Sequence, residues 1–219
     1  MSQARLYNDV VPSRVTSWAT SVSVFDFFLA AVLLVFFAPI MLGVAALVYL
    51  QDGGPVFFAH RRIGYQGQTF PCMKFRSMAV DSQARLERLL EQSADARAEW
   101  AKDHKLKNDP RITPLGAFLR KSSLDELPQL FNVLRGEMRF VGPRPIVQAE
   151  APRYGRHFAD YCSVRPGITG LWQVSGRNNL SYRRRVAIDT VYARSRTSAL
   201  DLKILAMTLP AVLLKRGSY

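Results

Sequence analysis

The sequence predicts a mainly helical α/β protein in which an N-terminal membrane-anchoring helix, re-entrant or single-span, precedes a cytoplasmic domain with amphipathic helices at the membrane interface. Three observations predict this fold: an apolar run over residues 24–50, a strongly basic remainder, and a hairpin pattern followed by segments of helical periodicity. Residues 1–52 therefore form an N-terminal arm and the anchoring helix, and residues 53–219 form the cytoplasmic domain.

The apolar run is long enough for a membrane helix and is interrupted only by Asp26 and Pro39. It is too long for a cleavable signal, and the basic region before it is weak. A straight helix would span the bilayer, and the basic residues 60–62 would keep the following domain in the cytoplasm. The alternative is a re-entrant hairpin, because Pro39 would bend the helix near its middle and leave Asp26 and Asp52 at the same interface.

Beyond the anchor, residues 55–64 and 68–78 flank a turn between two glycines and predict a short β-hairpin. Residues 80–102 alternate acids and bases at helical spacing, which predicts one solvated surface helix. Thr113-Pro114 begins another helix by the cap-then-proline rule. Residues 200–216 are too short to span a bilayer, so they form either a core helix or an amphipathic helix lying in the interface.

The positive charge is concentrated beyond the anchor. Residues 1–59 contain only two of the 30 basic residues and three of the 17 acidic residues, although the formal net charge of the chain is +13. Such a basic domain attracts an anionic partner, and nucleic acid, an anionic membrane surface and phosphorylated substrates all satisfy that requirement. Cys72 and Cys162 lack metal-ligand spacing, so we expect two buried, reduced thiols.

An acidic pair, Asp125-Glu126, stands out within this basic domain. Ser123 and Glu126 have the spacing of a capping box, although Pro128 would then fall deep within the helix. Alternatively, the helix begins at Pro128 and the acids lie in the loop just before it. Both alternatives place the carboxylates in the positive field of a helix N-terminus, which favours their ionised forms. An ionised aspartate can bind Mg²⁺ or act as a nucleophile.

These features, taken together with several further motifs, resemble the bacterial sugar transferase family, the monotopic phosphoglycosyl transferases that initiate glycan assembly on polyprenol phosphate. The resemblance extends from about Phe25 to Leu214. It rests on many motifs in one order: Gly54-Pro55-Val56-Phe57-Phe58, Lys74-Phe75-Arg76-Ser77-Met78, Arg120 through Pro128, Phe131-Asn132-Val133-Leu134, Val141 through Pro145, Arg165 through Gly170, Trp172-Gln173 and Gly176-Arg177-Asn178.

The resemblance implies a re-entrant helix with a proline bend and Mg²⁺-dependent transfer of sugar 1-phosphate from a UDP-sugar to undecaprenyl phosphate, with release of UMP. By the same resemblance, Asp125 is the nucleophile that forms an aspartyl phosphosugar intermediate, and Glu126 supports the metal and the proton chemistry. Both are thus the expected Mg²⁺ ligands. The implied location is the cytoplasmic face of the bacterial inner membrane, where the enzyme would initiate exopolysaccharide, capsule, O-antigen or glycoprotein glycan assembly.

Arginines that grip phosphoryl oxygens by two-point contact are the expected substrate-binding groups. The candidates are Arg120, Arg144 and Arg177, and Pro143 and Pro145 hold Arg144 in an extended loop. Asp189 also matches a family acid, and a salt bridge to a neighbouring arginine is its alternative role.

The sequence departs from the family pattern at two places. Val22-Ser23 replace a Lys-Arg pair that often precedes the membrane helix, and Ala38-Pro39 replace the usual Ser-Pro at its bend. The expected partners are the UDP-sugar, undecaprenyl phosphate and membrane lipids, with no nucleic acid, and homo-oligomerisation stays open. The competing hypotheses are a membrane-tethered nucleic-acid binder and a catalytically silent membrane scaffold.

Overall fold

The computed structural model describes residues 23–103, 106–176 and 179–213. The chain forms two compact units. The first comprises the described residues of Met1–Phe36, Ala59–Met73 and Gln129–Tyr219, and the second comprises Phe37–Phe58 and the described residues of Lys74–Pro128. Mainly helical secondary structure with two small sheets confirms the predicted α/β class.

Helix α1, Val24–Asp52, contains the whole predicted anchor with Pro39 in its interior. It is the one helix in the described part of the chain that is long and apolar enough to cross a membrane. Many of its large apolar side chains are exposed, among them Phe28, Val35 and Leu50. A helix that leaves such side chains uncovered by protein needs another apolar environment, and a bilayer provides one.

The predicted hairpin is confirmed by strands β1, Phe57–Ile63, and β2, Thr69–Phe75, which form a two-stranded sheet. The surface segment after it forms two helices, α2 at Ser82–Gln92 and α3 at Ala94–Asp103, so the prediction of a single helix is wrong. The break occurs at Ser93, which adopts an extended conformation, and its hydroxyl accepts a hydrogen bond from the amide of Ala96 (3.1 Å). Serine favours such capping contacts over a helix interior.

The second unit also contains α4, Pro114–Ser122, which begins where the sequence predicts. The first unit contains α5 to α8 as short helices, with β3 and β4 between them, and the longer helices α9 and α10. Their bounds are α5 Gln129–Leu134, β3 Arg139–Val141, α6 Ala151–Tyr154, α7 Phe158–Cys162, β4 Gly167–Thr169, α8 Leu171–Ser175, α9 Tyr182–Ser195 and α10 Ser198–Leu213.

Strands β3 and β4 pair in parallel at the centre of the first unit, with Arg139 opposite Gly167 and Val141 opposite Thr169. A buried cluster that includes Val133, Phe140, Tyr192 and Ile204 packs around this pair. A second buried cluster forms around aromatic and aliphatic side chains: Ile63, Ile146, Tyr154, Phe158, Tyr161, Cys162 and Val186. Both cysteines are buried, as expected, and they do not form a disulfide with each other.

Helix α10 combines properties of both alternatives for residues 200–216. Asp201 and Ile204 are buried, so one face packs into the core. Leu202 and Met207 are exposed. Contact of the outer face with a membrane interface stays a prediction.

Candidate active site

The acidic pair lies in a single 3-10 turn, Leu124–Glu126, at the end of α4 in the second unit. Helix α4 begins at Pro114, and the side chain of Thr113 caps it by accepting a hydrogen bond from the Gly116 amide (2.9 Å). Ser123 then adopts a left-handed conformation (φ 61°), which ends α4 and turns the chain into the acidic segment.

The capping-box hypothesis for this pair is wrong, because the Ser123 side chain makes no capping hydrogen bond. The next helix, α5, begins at Gln129, directly after Pro128. This arrangement is close to the second alternative, in which the acids precede a helix that starts at the proline.

Lys74 contacts both acids. Its Nζ lies 2.5 Å from Oε1 of Glu126 and 3.8 Å from Oδ2 of Asp125. Asp125 is buried, with 7% of its surface exposed, whereas Glu126 and Lys74 are partly exposed. Burial raises the pKa of Asp125, the charge of Lys74 lowers it, and the charge of Glu126 raises it. Lys74 therefore favours the ionised form of a carboxyl group that burial disfavours.

A hydrogen bond to Ser77 orients the side chain of Arg120. Its Nε donates a 2.8 Å hydrogen bond to the Ser77 hydroxyl, and partial burial lowers the pKa of Arg120, while the charge of Asp125 opposes that shift. Helix α4 also packs directly on the Ser77 backbone, because a Cβ atom at Gly116 would lie 1.9 Å from the Ser77 carbonyl oxygen. Glycine at position 116 thus permits the approach that brings Arg120 to Ser77.

The loop Pro143-Arg144-Pro145 lies in the first unit, directly after β3. Pro143 is buried and Arg144 is exposed. In the part of the chain that the structure describes, no carboxylate forms a salt bridge with Arg144. Because Arg144 is exposed, its side chain is accessible to an anionic ligand.

Gly142 permits a close backbone approach at the base of this loop. A Cβ atom there would lie 2.4 Å from the carbonyl oxygen of Arg165, and a Cβ atom at Gly167 would lie 2.1 Å from the Gly142 amide nitrogen. The glycines of the 141–145 and 165–170 motifs therefore allow these two loops to pack backbone against backbone.

Arg62 supports the same loop from β1. Its Nη1 donates a 3.3 Å hydrogen bond to the Pro145 carbonyl and lies 3.7 Å from Oε2 of Glu150. Burial lowers the pKa of Arg62, and the neighbouring charge of Arg144 lowers it further. Two arginines with one nearby carboxylate make this part of the first unit suited to an anion.

Asp189 lies within the first unit and is almost fully buried, with 1% of its surface exposed. The Tyr154 hydroxyl donates a 2.9 Å hydrogen bond to Oδ2, and burial raises the pKa of Asp189 to about 7. Among the described residues no arginine forms a salt bridge with this carboxylate. Its substrate-binding role stays a prediction, and its burial favours a structural one.

The predicted site residues thus fall into two groups. Asp125, Glu126 and Arg120 lie together in the second unit, whereas Pro143, Arg144, Pro145 and Asp189 lie in the first. Arg177 lies outside the described residues.

Lys74, Ser77 and Arg62 make contacts at the predicted site residues that were not predicted from the sequence. Lys74 and Ser77 belong to a motif that supports the family resemblance. Their place in this motif was the sequence feature that could have identified them as functional residues. Their contacts link residues more than 40 positions apart along the chain, which sequence spacing does not reveal.

The carboxylates of Asp125 and Glu126 provide oxygen donors, which are the ligands that Mg²⁺ prefers. Within the described ranges no group of three or more His, Cys, Asp or Glu side chains could hold a metal ion. Mg²⁺ does not require such a group, because it commonly binds through one or two carboxylates together with water and substrate phosphates. The contact of Lys74 with both Asp125 and Glu126 supports the view that this pair accepts positive charge.

Comparison with known proteins agrees with the resemblance seen in the sequence. The family model described as "Bacterial sugar transferase" matches residues 18–215. The exopolysaccharide production protein ExoY of Rhizobium meliloti is 52% identical over 195 residues, which are 89% of this chain and 86% of that protein.

Two further relatives are named for reactions on undecaprenyl phosphate. The undecaprenyl-phosphate galactose phosphotransferase of Salmonella typhimurium is 50% identical over 200 residues, 89% of this chain and 41% of that protein. The UDP-glucose:undecaprenyl-phosphate glucose-1-phosphate transferase of Xanthomonas campestris is 38% identical over 202 residues, 89% of this chain and 39% of that protein. The chain therefore spans less than half the length of these two relatives.

Proposed function

Because the chain belongs to the bacterial sugar transferase family, we propose that it transfers sugar 1-phosphate from a UDP-sugar to undecaprenyl phosphate, with Asp125 as the nucleophile. The observation that carries the proposal is the buried Asp125 carboxylate in contact with Lys74 and adjacent to Glu126. Relatives named for galactose and for glucose transfer support the reaction class and leave the sugar open.

The proposed reaction consists of two displacements at one phosphorus atom. An oxygen of ionised Asp125 first attacks the phosphorus that bears the sugar, the diphosphate bond to the bridging oxygen breaks, and UMP leaves with that oxygen. A phosphate oxygen of undecaprenyl phosphate then attacks the same phosphorus. The Asp125 carboxylate is released, and the product is a polyprenyl diphosphosugar.

The residues around Asp125 have distinct proposed roles. Burial makes the carboxylate more basic and hence a better nucleophile once ionised, and Lys74 favours that ionised form. Arg120, held by Ser77, is placed to bind a phosphoryl oxygen through the guanidinium nitrogens that Ser77 does not engage. Mg²⁺ held by Asp125 and Glu126 would offset the charge of the diphosphate.

Arg144 is the proposed donor-binding group of the first unit. Its exposed guanidinium projects from a loop fixed by two prolines and by the hydrogen bond from Arg62 to Pro145. Restriction of the loop before binding reduces the conformational entropy lost when the arginine closes on a phosphate.

The anchor helix is proposed to be re-entrant, because both of its ends bind the chain that follows. Near its start, Asp26 accepts a hydrogen bond from Nε of Arg139 (2.5 Å), and at its end Asp52 pairs with Arg76. Among the described residues after Asp52, no helix is long and apolar enough to cross a membrane. A straight helix of 29 residues would be about 44 Å long, longer than a bilayer core, and would put its ends on opposite sides.

A bend at Pro39 would allow both ends of α1 to lie at the same face of the membrane. The excess of basic residues after the anchor favours the cytoplasmic face of the inner membrane for the enzyme.

The test of the proposed function is product formation by purified, detergent-solubilised full-length protein. We expect release of UMP and formation of polyprenyl diphosphosugar when UDP-sugars are supplied with undecaprenyl phosphate and Mg²⁺. A membrane scaffold or a membrane-tethered nucleic-acid binder predicts neither product. A panel of UDP-hexoses and UDP-N-acetylhexosamines identifies the sugar, and absence of UMP with the whole panel would reject the proposal.

A further inference from the structure

An apolar surface surrounds the C-terminal end of α1 in the second unit. It consists of Leu47 and Leu50 on α1, Phe57 and Phe58 at the start of β1, and Val80, and is referred to below as the collar. Between 43% and 77% of the surface of each of these residues is exposed. Exposed apolar side chains scattered singly are ordinary, whereas a contiguous group at one place marks a binding surface.

Arg76 joins the helical part of the collar to the β-hairpin. Its guanidinium pairs with Asp52 and donates a 3.2 Å hydrogen bond to the carbonyl of Val48, one turn earlier. Its backbone amide donates a 2.9 Å hydrogen bond to the carbonyl of Val56, directly before the two phenylalanines. The end of α1 and the start of β1 are therefore held side by side.

Two close contacts complete the collar. A Cβ atom at Gly54 would lie 2.4 Å from Cγ2 of Val80, so the turn after α1 rests against this valine. The ring of Phe57 stacks on Phe75 with a centroid separation of 5.3 Å, which fixes the start of β1 against β2. Because these contacts anchor the backbone, exposure of the collar is a feature of the folded unit.

We propose that the collar is a second membrane contact, in which the hairpin edge and Val80 enter the interface of the same leaflet that receives α1. The inference rests on the membrane insertion of α1 in the proposed function. Its occupant is the bilayer because the collar includes the last exposed apolar side chains of α1, Leu47 and Leu50, and the hairpin residues that Arg76 holds beside this end of the helix. Phenylalanine and leucine side chains enter the boundary between headgroups and acyl chains. The exposed Arg61 farther along β1 favours anionic headgroups.

The test compares two valines of nearly equal exposure, Val80 (59%) in the collar and Val191 (57%) on α9. Each is replaced by cysteine in the full-length protein, labelled with an environment-sensitive fluorophore, and reconstituted into mixed phosphatidylcholine–phosphatidylglycerol vesicles. The two native cysteines are buried. Protein without an introduced cysteine is treated with the same fluorophore, and its signal is subtracted to correct for any reaction at the native cysteines. Quenching is then measured with brominated acyl chains and, separately, with aqueous iodide.

We expect brominated lipid to reduce the fluorescence at position 80 about twofold or more while position 191 changes little, and iodide to show the reverse order. Equal lipid quenching at the two sites, or strong iodide quenching at position 80, would overturn the proposal. Protection of position 80 from both quenchers would identify a protein as the occupant, either a second copy or another partner, and would also overturn it.

A UMP-release assay on the same vesicles separates this inference from the proposed function. Quenching by brominated lipid at position 80 without UMP release would support the membrane contact of the collar and reject the proposed transferase reaction. UMP release together with iodide quenching at position 80 would support the proposed transferase reaction and reject the membrane contact of the collar.

Discussion

Lys74 Nζ lies 2.5 Å from Oε1 of Glu126, in a contact that joins the end of the β-hairpin to the acidic turn 52 residues later. The same ammonium group is 3.8 Å from Asp125, whose pKa burial raises and Lys74 lowers. The positive charge of Lys74 therefore opposes burial and favours the ionised nucleophile.

Replacement of Lys74 by glutamine should move the acidic limb of the pH profile of kcat/KM to higher pH. Activity requires ionised Asp125, so loss of the neighbouring positive charge raises the pKa of Asp125 further and delays ionisation as pH increases. At neutral pH we expect a loss of roughly tenfold or more. Lys107→Gln, at an exposed lysine on the same unit, is the matched control. An acidic limb at unchanged pH in K74Q would remove Lys74 from this role.

Replacement of Arg144 by lysine should weaken donor turnover with little effect on stability. Lysine keeps the charge but lacks the planar fork that binds two phosphoryl oxygens, so we expect a decrease in kcat/KM of about ten- to a hundredfold, or about 1.5–3 kcal/mol. The melting temperature and kcat/KM for the UDP-sugar are measured together, with Arg88→Lys on the solvated α2 as control. A destabilised R144K enzyme with normal kcat/KM would place Arg144 outside the site.

Local signals were sufficient for some elements of the fold. Thr113-Pro114 specifies its own helix start, because a hydroxyl cap and a fixed proline φ act within one turn. The hairpin likewise follows from residues that are close in sequence. The break at Ser93 was missed because alternating charges continue through it, while a single serine hydroxyl offers the backbone a competing hydrogen bond.

The site required contacts that no sequence spacing encodes. The acids at 125 and 126 and the arginine at 144 could be named from their motifs. The support from Lys74, Ser77 and Arg62 could not, because each acts through side-chain contacts with residues far away along the chain. The packing of Gly142 against Gly167 is similar: the motif predicts a close approach, and only the fold identifies the backbone that is approached.

The substitution Asp189→Asn should stabilise the folded protein relative to wild type, and this stabilising effect should increase with pH. The folded-state pKa of Asp189 is raised from 3.8 to about 7, so its contribution to stability is present at low pH and is lost as pH rises through 7. The amide can still accept the Tyr154 hydrogen bond and carries no buried charge at high pH. We expect the melting temperature of D189N relative to wild type to increase by ~3–6 °C between pH 5 and pH 8.

Asp109→Asn is the matched control for that series. Asp109 pairs with Arg111 and its pKa is lowered, so its stabilising effect is already present above the ordinary aspartate pKa. The melting-temperature difference caused by D109N should therefore be nearly constant from pH 5 to pH 8. A similarly constant difference for D189N would contradict a buried, protonatable Asp189.

Both ends of the anchor helix should be cytoplasmic. A cysteine introduced at Ser2, after replacement of Cys72 and Cys162, is exposed to a membrane-impermeant thiol reagent in cells with a permeabilised outer layer. We expect labelling only after the inner membrane is opened, because a hairpin bent at Pro39 returns to the side it entered. Labelling of intact inner membranes at position 2 would indicate a spanning helix.

The most direct test of the proposed covalent mechanism is rapid-quench measurement of UMP release from the donor in the absence of undecaprenyl phosphate. With a UDP-sugar that supports turnover, and with Mg²⁺ present, the full-length enzyme should release UMP in a burst of about one equivalent, because Asp125 accepts the sugar phosphate before the lipid is needed. D125N should give no burst while remaining folded, with a cooperative thermal transition, and its turnover should fall roughly a thousandfold or more. UMP that appears only after undecaprenyl phosphate is added, or an undiminished burst from D125N, would contradict Asp125 as the nucleophile.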